Sequence, residues 1–218
     1  VKALTVFLPY VMPWAMGCPK PTARRALVDA AIEFCEQTKL LQDTLDPIDV
    51  LASQPAYDLY APSAQMVVVQ PEKVWFKDQE LDPAASSRVS NVQAYRQDIP
   101  GQSVQKGDPR EYFPIGSGQI GVYPIPDTEA PQALTVRASL KPKRSATQLD
   151  DVLYENWVEI IAAGALYRIH ATPGQAYTDE SQAMRRLSEF QAGVRKAAAE
   201  ATRGRARGEL RVAMTPLA

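Results

Sequence analysis

Residues 149–170 read Leu149-Asp150-Asp151-Val152-Leu153-Tyr154-Glu155-Asn156-Trp157-Val158-Glu159-Ile160-Ile161-Ala162-Ala163-Gly164-Ala165-Leu166-Tyr167-Arg168-Ile169-His170. Leu149, Val152/Leu153, Trp157, Ile160/Ile161, Ala165 and Ile169 recur at three- and four-residue spacing, the period of a helix with one wide apolar face. Asp150 and Asp151 stand in its first turn, where the helix dipole favours carboxylates, and Pro173-Gly174 ends it. A face this wide must be covered by other elements.

Two further segments carry matching faces. Leu27, Ala31, Phe34, Thr38 and Leu41 form one side of a helix predicted over Arg24–Gln42, with Pro21-Thr22 at its start, where proline is tolerated. From Asp179 to Thr202, Ala183, Leu187, Phe190, Val194, Ala197/Ala198 and Ala201 make the third stripe. Arg185, Arg186, Glu189, Arg195, Lys196 and Glu200 form its solvated side, and Gly204 stops the helix.

Between the first and second helices the chain changes character. Residues 46–146 hold twelve of the 18 prolines, against four in residues 1–21 and two after residue 146. Proline breaks helix interiors and central strands alike, so a small antiparallel sheet or open barrel with long loops fits this region. Residues 65–70, 73–77, 119–123 and 133–139 read as strands. A turn is expected at Asp78-Gln79-Glu80 and a bend at Pro124-Ile125-Pro126-Asp127. The expected fold is α+β. A helical bundle forms from residues 1–45 plus 147–203, with an inserted β-rich domain at 46–146 and extended arms at both ends, the C-terminal one covering 204–218. The opening Val1–Pro9 is weakly like a signal h-region and Ala15-Met16-Gly17-Cys18 weakly like a lipobox. Pro9 and Pro13 interrupt the run, so the segment is read as a retained, extended arm.

Composition narrows the chemistry. The 218 residues carry 24 Lys+Arg against 25 Asp+Glu, with 45% apolar residues, which argues against a disordered chain and against a polybasic nucleic-acid coat. His170 is the single histidine, so zinc sites built from several imidazoles are excluded. Cys18 and Cys35 allow one bridge at most, which favours a reducing compartment, and Cys35 beside the first stripe reads as a small buried hydrophobe. No apolar run reaches the ~18 residues of a membrane-spanning helix.

No motif points to catalysis. Gly116-Ser117-Gly118-Gln119-Ile120-Gly121 leads into a strand, not a helix, so it reads as a hairpin turn and not as a phosphate cradle. Asp150/Asp151 and Asp179/Glu180 are carboxylate pairs at helix starts, where acidic residues are structural. His170 lies at a helix end, beside terminal carbonyls that favour it. The expectation is a non-enzymatic protein with no cofactor and no metal.

One charge feature stands out. Arg203, Arg205, Arg207 and Arg211 with Glu209 give a net +3 over nine residues, in a chain otherwise net acidic. Leu210-Arg211-Val212-Ala213-Met214 then alternates apolar and polar residues, the pattern of a segment that orders as a strand or fills a groove on a partner.

Several blocks resemble the head–tail adaptor (neck, connector) proteins of tailed bacteriophages. They are Leu8-Pro9-Tyr10-Val11-Met12-Pro13, Cys18-Pro19-Lys20-Pro21, Ala26–Glu36, Trp157–Tyr167, Pro173–Tyr177 and Phe190–Val194, with Ile120–Pro126 in the middle. The resemblance implies a virion structural protein of the neck, assembled in the host cytoplasm. It implies a ring of copies, twelve-fold beneath the portal, that joins the portal ring to a downstream tail or nozzle protein. DNA would pass without sequence-specific binding, and no membrane would be involved. In such proteins the C-terminal extension reaches into the portal, which transfers here to Arg203, Arg205, Arg207, Leu210, Arg211, Val212 and Met214. The middle region is larger than in all-helical adaptors. Two other readings compete: a tail-completion or tail-capping virion protein, and a carboxylate-dependent hydrolase or glycan-binding module using Trp75, Tyr112 and Tyr123 as stacking faces.

Overall fold

The computed structural model describes residues 1–85, 89–90, 105–116 and 118–203. Among the described residues three long helices form where apolar stripes recur: α1 Lys20–Thr38, α2 Asp151–His170 and α3 Glu180–Arg203. Asp150 caps α2 by accepting the Val152 N–H at 2.9 Å, and Asp179 caps α3 by accepting the Gln182 N–H at 3.0 Å. α1 begins at Lys20 with Pro21 in its first turn, as expected, but ends four residues before Gln42. Lys39 takes a left-handed conformation, φ 50°, and its N–H closes the helix on the Cys35 carbonyl at 2.9 Å. Leu41 then serves the sheet instead of the helix stripe, its carbonyl accepting the Leu140 N–H at 2.8 Å.

The N-terminal arm is not extended. Three 3-10 turns, Leu4–Val6, Leu8–Tyr10 and Met12–Trp14, follow one another. Pro9 and Pro13 occupy early positions of the second and third turns, where a missing N–H costs nothing. Leu4, Phe7, Leu8, Val11, Ala15 and Cys18 are buried, so the segment is built on a helical spacing that its prolines conceal.

The strands, in chain order, are β1 Lys2–Ala3, β2 Gln42–Thr44, β3 Ile48–Val50, β4 Ala56–Asp58, β5 Met66–Phe76, β6 Gln79–Glu80, β7 Asp82–Pro83, β8 Glu111–Pro114, β9 Gln119–Tyr123, β10 Ala130–Pro142 and β11 Gln148–Leu149. One sheet has the order β2-β10-β5-β6, with β3 also on β10, and a second has the order β4-β9-β8-β7. Among the described strands all pairs are antiparallel except β7 with β8, and β1 pairs with β11 to tie the N-terminus to the approach of α2.

Two sequence expectations shift here. Residues 65–70 and 73–77 merge into the single strand β5, because Pro71 sits at a register shift against β10. On the other side β6 pairs only with Trp75 and Phe76, so the proline meets no ladder there. The turn falls one residue earlier than expected, at Lys77-Asp78, both with positive φ (47° and 66°), and Gln79-Glu80 returns as β6.

One apolar cluster runs from the N-terminal turns through all three helices into both larger sheets. α1 packs on β10 and on α2, and α2 packs on α3. Phe7, Phe34, Phe190, Leu27, Leu153, Ile161 and Leu166 are fully buried in it. Each such Leu, Ile or Phe stabilises the fold by about 1.5–3 kcal/mol relative to exposure.

Candidate functional site

The helical layer is held tightly enough to serve as a rigid platform. A Cβ built on Gly164 of α2 would lie 2.7 Å from the Phe190 ring of α3 and 3.0 Å from Cβ of Ala30 on α1, so three helices meet where one residue has no side chain. The Arg168 guanidinium is ion-paired with Glu33 of α1 and donates to the Gly164 carbonyl at 2.6 Å. Its carbon lies 4.7 Å from the Tyr167 ring centroid. One side chain thus joins α1 to α2 and stacks against α2 itself.

Over this platform the N-terminal turns place a strip of aromatics. Phe7 packs edge-on against Tyr154 with ring centroids 5.2 Å apart, and Tyr10 follows at 6.2 Å. The Tyr154 hydroxyl, sharing a hydrogen bond with Tyr10, holds the Tyr10 phenol above its ordinary pKa, with Glu159 and Glu155 adding to the effect. Trp14 lies under the Arg186 guanidinium at 4.9 Å, and Arg186 donates to Glu189 at 2.8 Å. Trp14 is nonetheless 62% exposed and Met16 81%. A cleft of about 490 Å³ opens between Tyr10, Trp14, Ile160, Glu159, Arg186 and Glu189. It offers apolar and aromatic contact with charges at its edge, which suits a protein partner's side chains. The sequence reading missed this strip. Its signal was the i, i+4 spacing of Tyr10 and Trp14 beside the buried Phe7, Val11 and Ala15.

The proposed docking tail begins where α3 ends. Arg203 is the last residue of α3, whereas Arg205, Arg207, Leu210, Arg211, Val212 and Met214 lie outside the described residues.

The polar residues singled out in sequence have structural partners. His170 is buried at the end of α2, its Nδ1 2.9 Å from the Tyr177 carbonyl. Cys35 has no exposed surface, and burial raises its thiol pKa; Cys18 is nearly as covered and shifts in the same direction. The Gly116–Gly118 segment joins β8 to β9 as a hairpin, with positive φ at Gly116 (62°) and Gly118 (80°). Tyr112 pairs across the ladder with Val122 and Glu111 with Tyr123, so the two tyrosines lie on opposite faces of their sheet. Trp75, Tyr112 and Tyr123 therefore do not share a stacking face. Among the described residues, no three His, Cys, Asp or Glu side chains converge as metal ligands, and no helix is long and apolar enough to cross a membrane.

Comparison with known proteins agrees with the resemblance seen in scattered blocks. No curated protein matches the chain. The family model of the SU10 adaptor protein, by contrast, matches residues 11–214, from the third N-terminal turn through α1, α2 and α3. The chain belongs to the SU10 adaptor protein family and is a bacteriophage head–tail adaptor-type protein.

Proposed function

We propose that this adaptor is a non-enzymatic component of the virion neck. Copies assemble into a ring, twelve-fold beneath a portal of that symmetry, which joins the portal to the downstream tail or nozzle protein and lines the DNA passage. The observation that carries this reading is the family match over residues 11–214, which takes in the third N-terminal turn, the three long helices and most of the basic tail.

The parts divide accordingly. Residues 1–45 with 147–203 supply the helical bundle, and 46–146 form an insert docked on it through the shared apolar cluster. The tail residues Arg203, Arg205, Arg207, Leu210, Arg211, Val212 and Met214 reach the portal, where arginines meet carboxylates or backbone carbonyls. A weak contact per subunit becomes firm when it is repeated around a ring, because each docked tail raises the effective concentration of the next. A net charge of −1 spares neighbouring subunits strong mutual repulsion and leaves passing duplex unheld.

The test is to recover tagged protein from infected cells and image what elutes by electron microscopy. Rings carrying a portal-sized partner, lost when the chain is cut after Thr202, are the expected result. Rings that survive truncation would move docking to the helices and the aromatic strip. A lone monomer under every condition would overturn the reading.

A further inference from the structure

A groove of about 330 Å³ opens beside the N-terminus of α2, at the end of the helical layer where α3 finishes. Leu41, Leu140 and Trp157 are buried along it, and Asp43, Asp150 and Glu200 stand on its lining. Among the described residues none of these three carboxylates is ion-paired. Asp43 accepts the Thr44 N–H at 2.8 Å and Asp150 caps α2. The groove also borders β2, which pairs only with β10, so the other edge of that strand is open among the described residues.

The chain itself supplies a complementary segment. From residue 205 to 214 every odd position is charged or alanine (Arg205, Arg207, Glu209, Arg211, Ala213), and every even position is small or apolar (Ala206, Gly208, Leu210, Val212, Met214). Extended, such a segment carries its arginines on one face and Leu210, Val212 and Met214 on the other. It starts four residues after Glu200, and eleven extended residues reach about 36 Å at ~3.3 Å each, ample to cross the groove.

We propose that in the free subunit residues 204–214 fold back into this groove of the same chain. Leu210, Val212 and Met214 cover Leu41, Leu140 and Trp157, and the arginines face Asp43, Asp150 and Glu200. The connection is so short that the tail sees its own groove at roughly millimolar effective concentration, which outcompetes a second copy at ordinary protein concentrations. The site is distinct from portal docking and stands whether or not the portal is the tail's other partner. Where both hold, leaving the groove is a step in assembly.

The test uses the full-length free chain. Asn156→Cys places a thiol at an exposed position lining the groove, and Val212→Cys places its partner in the tail. The control pairs Val212→Cys with Met16→Cys. Met16 is exposed and neighbours Gly17, which lies against Ala176 beyond the opposite end of α2, about 30 Å along that helix. Both native cysteines are buried. Under mild oxidation the groove pair is expected to form an intrachain disulfide at least tenfold faster than the control. Asp43→Asn with Glu200→Gln, or 1 M salt, is expected to slow it several-fold. Asp150 stays untouched, because it caps α2. A rate equal to the control overturns the proposal, as does cross-linking found only between two chains, or a rate indifferent to both salt and the two carboxylates. No portal is present, so failure here is separate from failure of portal docking.

Discussion

Gly164 and Phe190 fit together so closely that a single added methyl on the glycine would stand 2.7 Å from the ring. Phe190 is fully buried, and Ala30 closes the other side at 3.0 Å. This contact sets how near α2 and α3 can lie, and through Ala30 it sets the distance to α1.

Gly164→Ala is therefore expected to destabilise the chain by about 1–3 kcal/mol, despite alanine's better helix propensity. Urea denaturation would show a lower midpoint at unchanged slope. Gly193→Ala is expected to cost a similar amount. Its new methyl would lie 2.5 and 2.7 Å from the two γ carbons of Ile160, a β-branched side chain that a helix holds near one rotamer, so the neighbour cannot simply swing away.

Arg168 joins α1 to α2 through Glu33, with about a fifth of its side chain exposed and about a third of Glu33. Arg168→Met would leave the carboxylate without its cation and the Gly164 carbonyl without an added donor. Partial exposure limits the loss to about 1–2 kcal/mol. A double-mutant cycle with Glu33→Gln should return a coupling near ~1 kcal/mol, which falls in high salt.

Asp179 links stability to pH. Its carboxylate accepts the Gln182 N–H and the Ser181 hydroxyl, which lower its pKa in the folded chain. A depressed folded pKa contributes stability above the unfolded value of ~3.9, and that contribution is lost as pH falls through the folded value. Asp179→Ala should lower the melting temperature at pH 7, and the gap to wild type should shrink below about pH 4. Asp179→Asn, which keeps an acceptor oxygen, should lose less.

Cys18 and Cys35 are buried, with thiols shifted upward by desolvation. Neither is expected to react with a thiol reagent at pH 8 while the chain is folded, and both are expected to react once urea unfolds it. Rapid reaction of Cys35 in the native protein would contradict its packing in the core.

The parts legible in the sequence are those governed by local periodicity. α2, α3 and β9 fall within a residue or two of where their stripes and β-branched runs placed them, because each carries its own repeat and stop signals. The α+β class and the family likeness were equally readable.

Tertiary structure decided the rest, wherever a residue's local preference was met by more than one environment. Pro9 and Pro13 argue against a helix, yet they suit the first positions of short 3-10 turns, and burial of Phe7, Val11 and Ala15 selected those turns over an extended arm. Leu41 fits a helix stripe, but the hydrogen bond from Leu140 drew it into the sheet and ended α1 at Thr38. Pro71 would break a central strand, but its place at a bulge with no outer ladder let β5 run through it. The basic tail was visible in the sequence as charge and alternation. The groove that complements it joins Asp43, Asp150 and Glu200 from three distant segments, and only the fold brings them together.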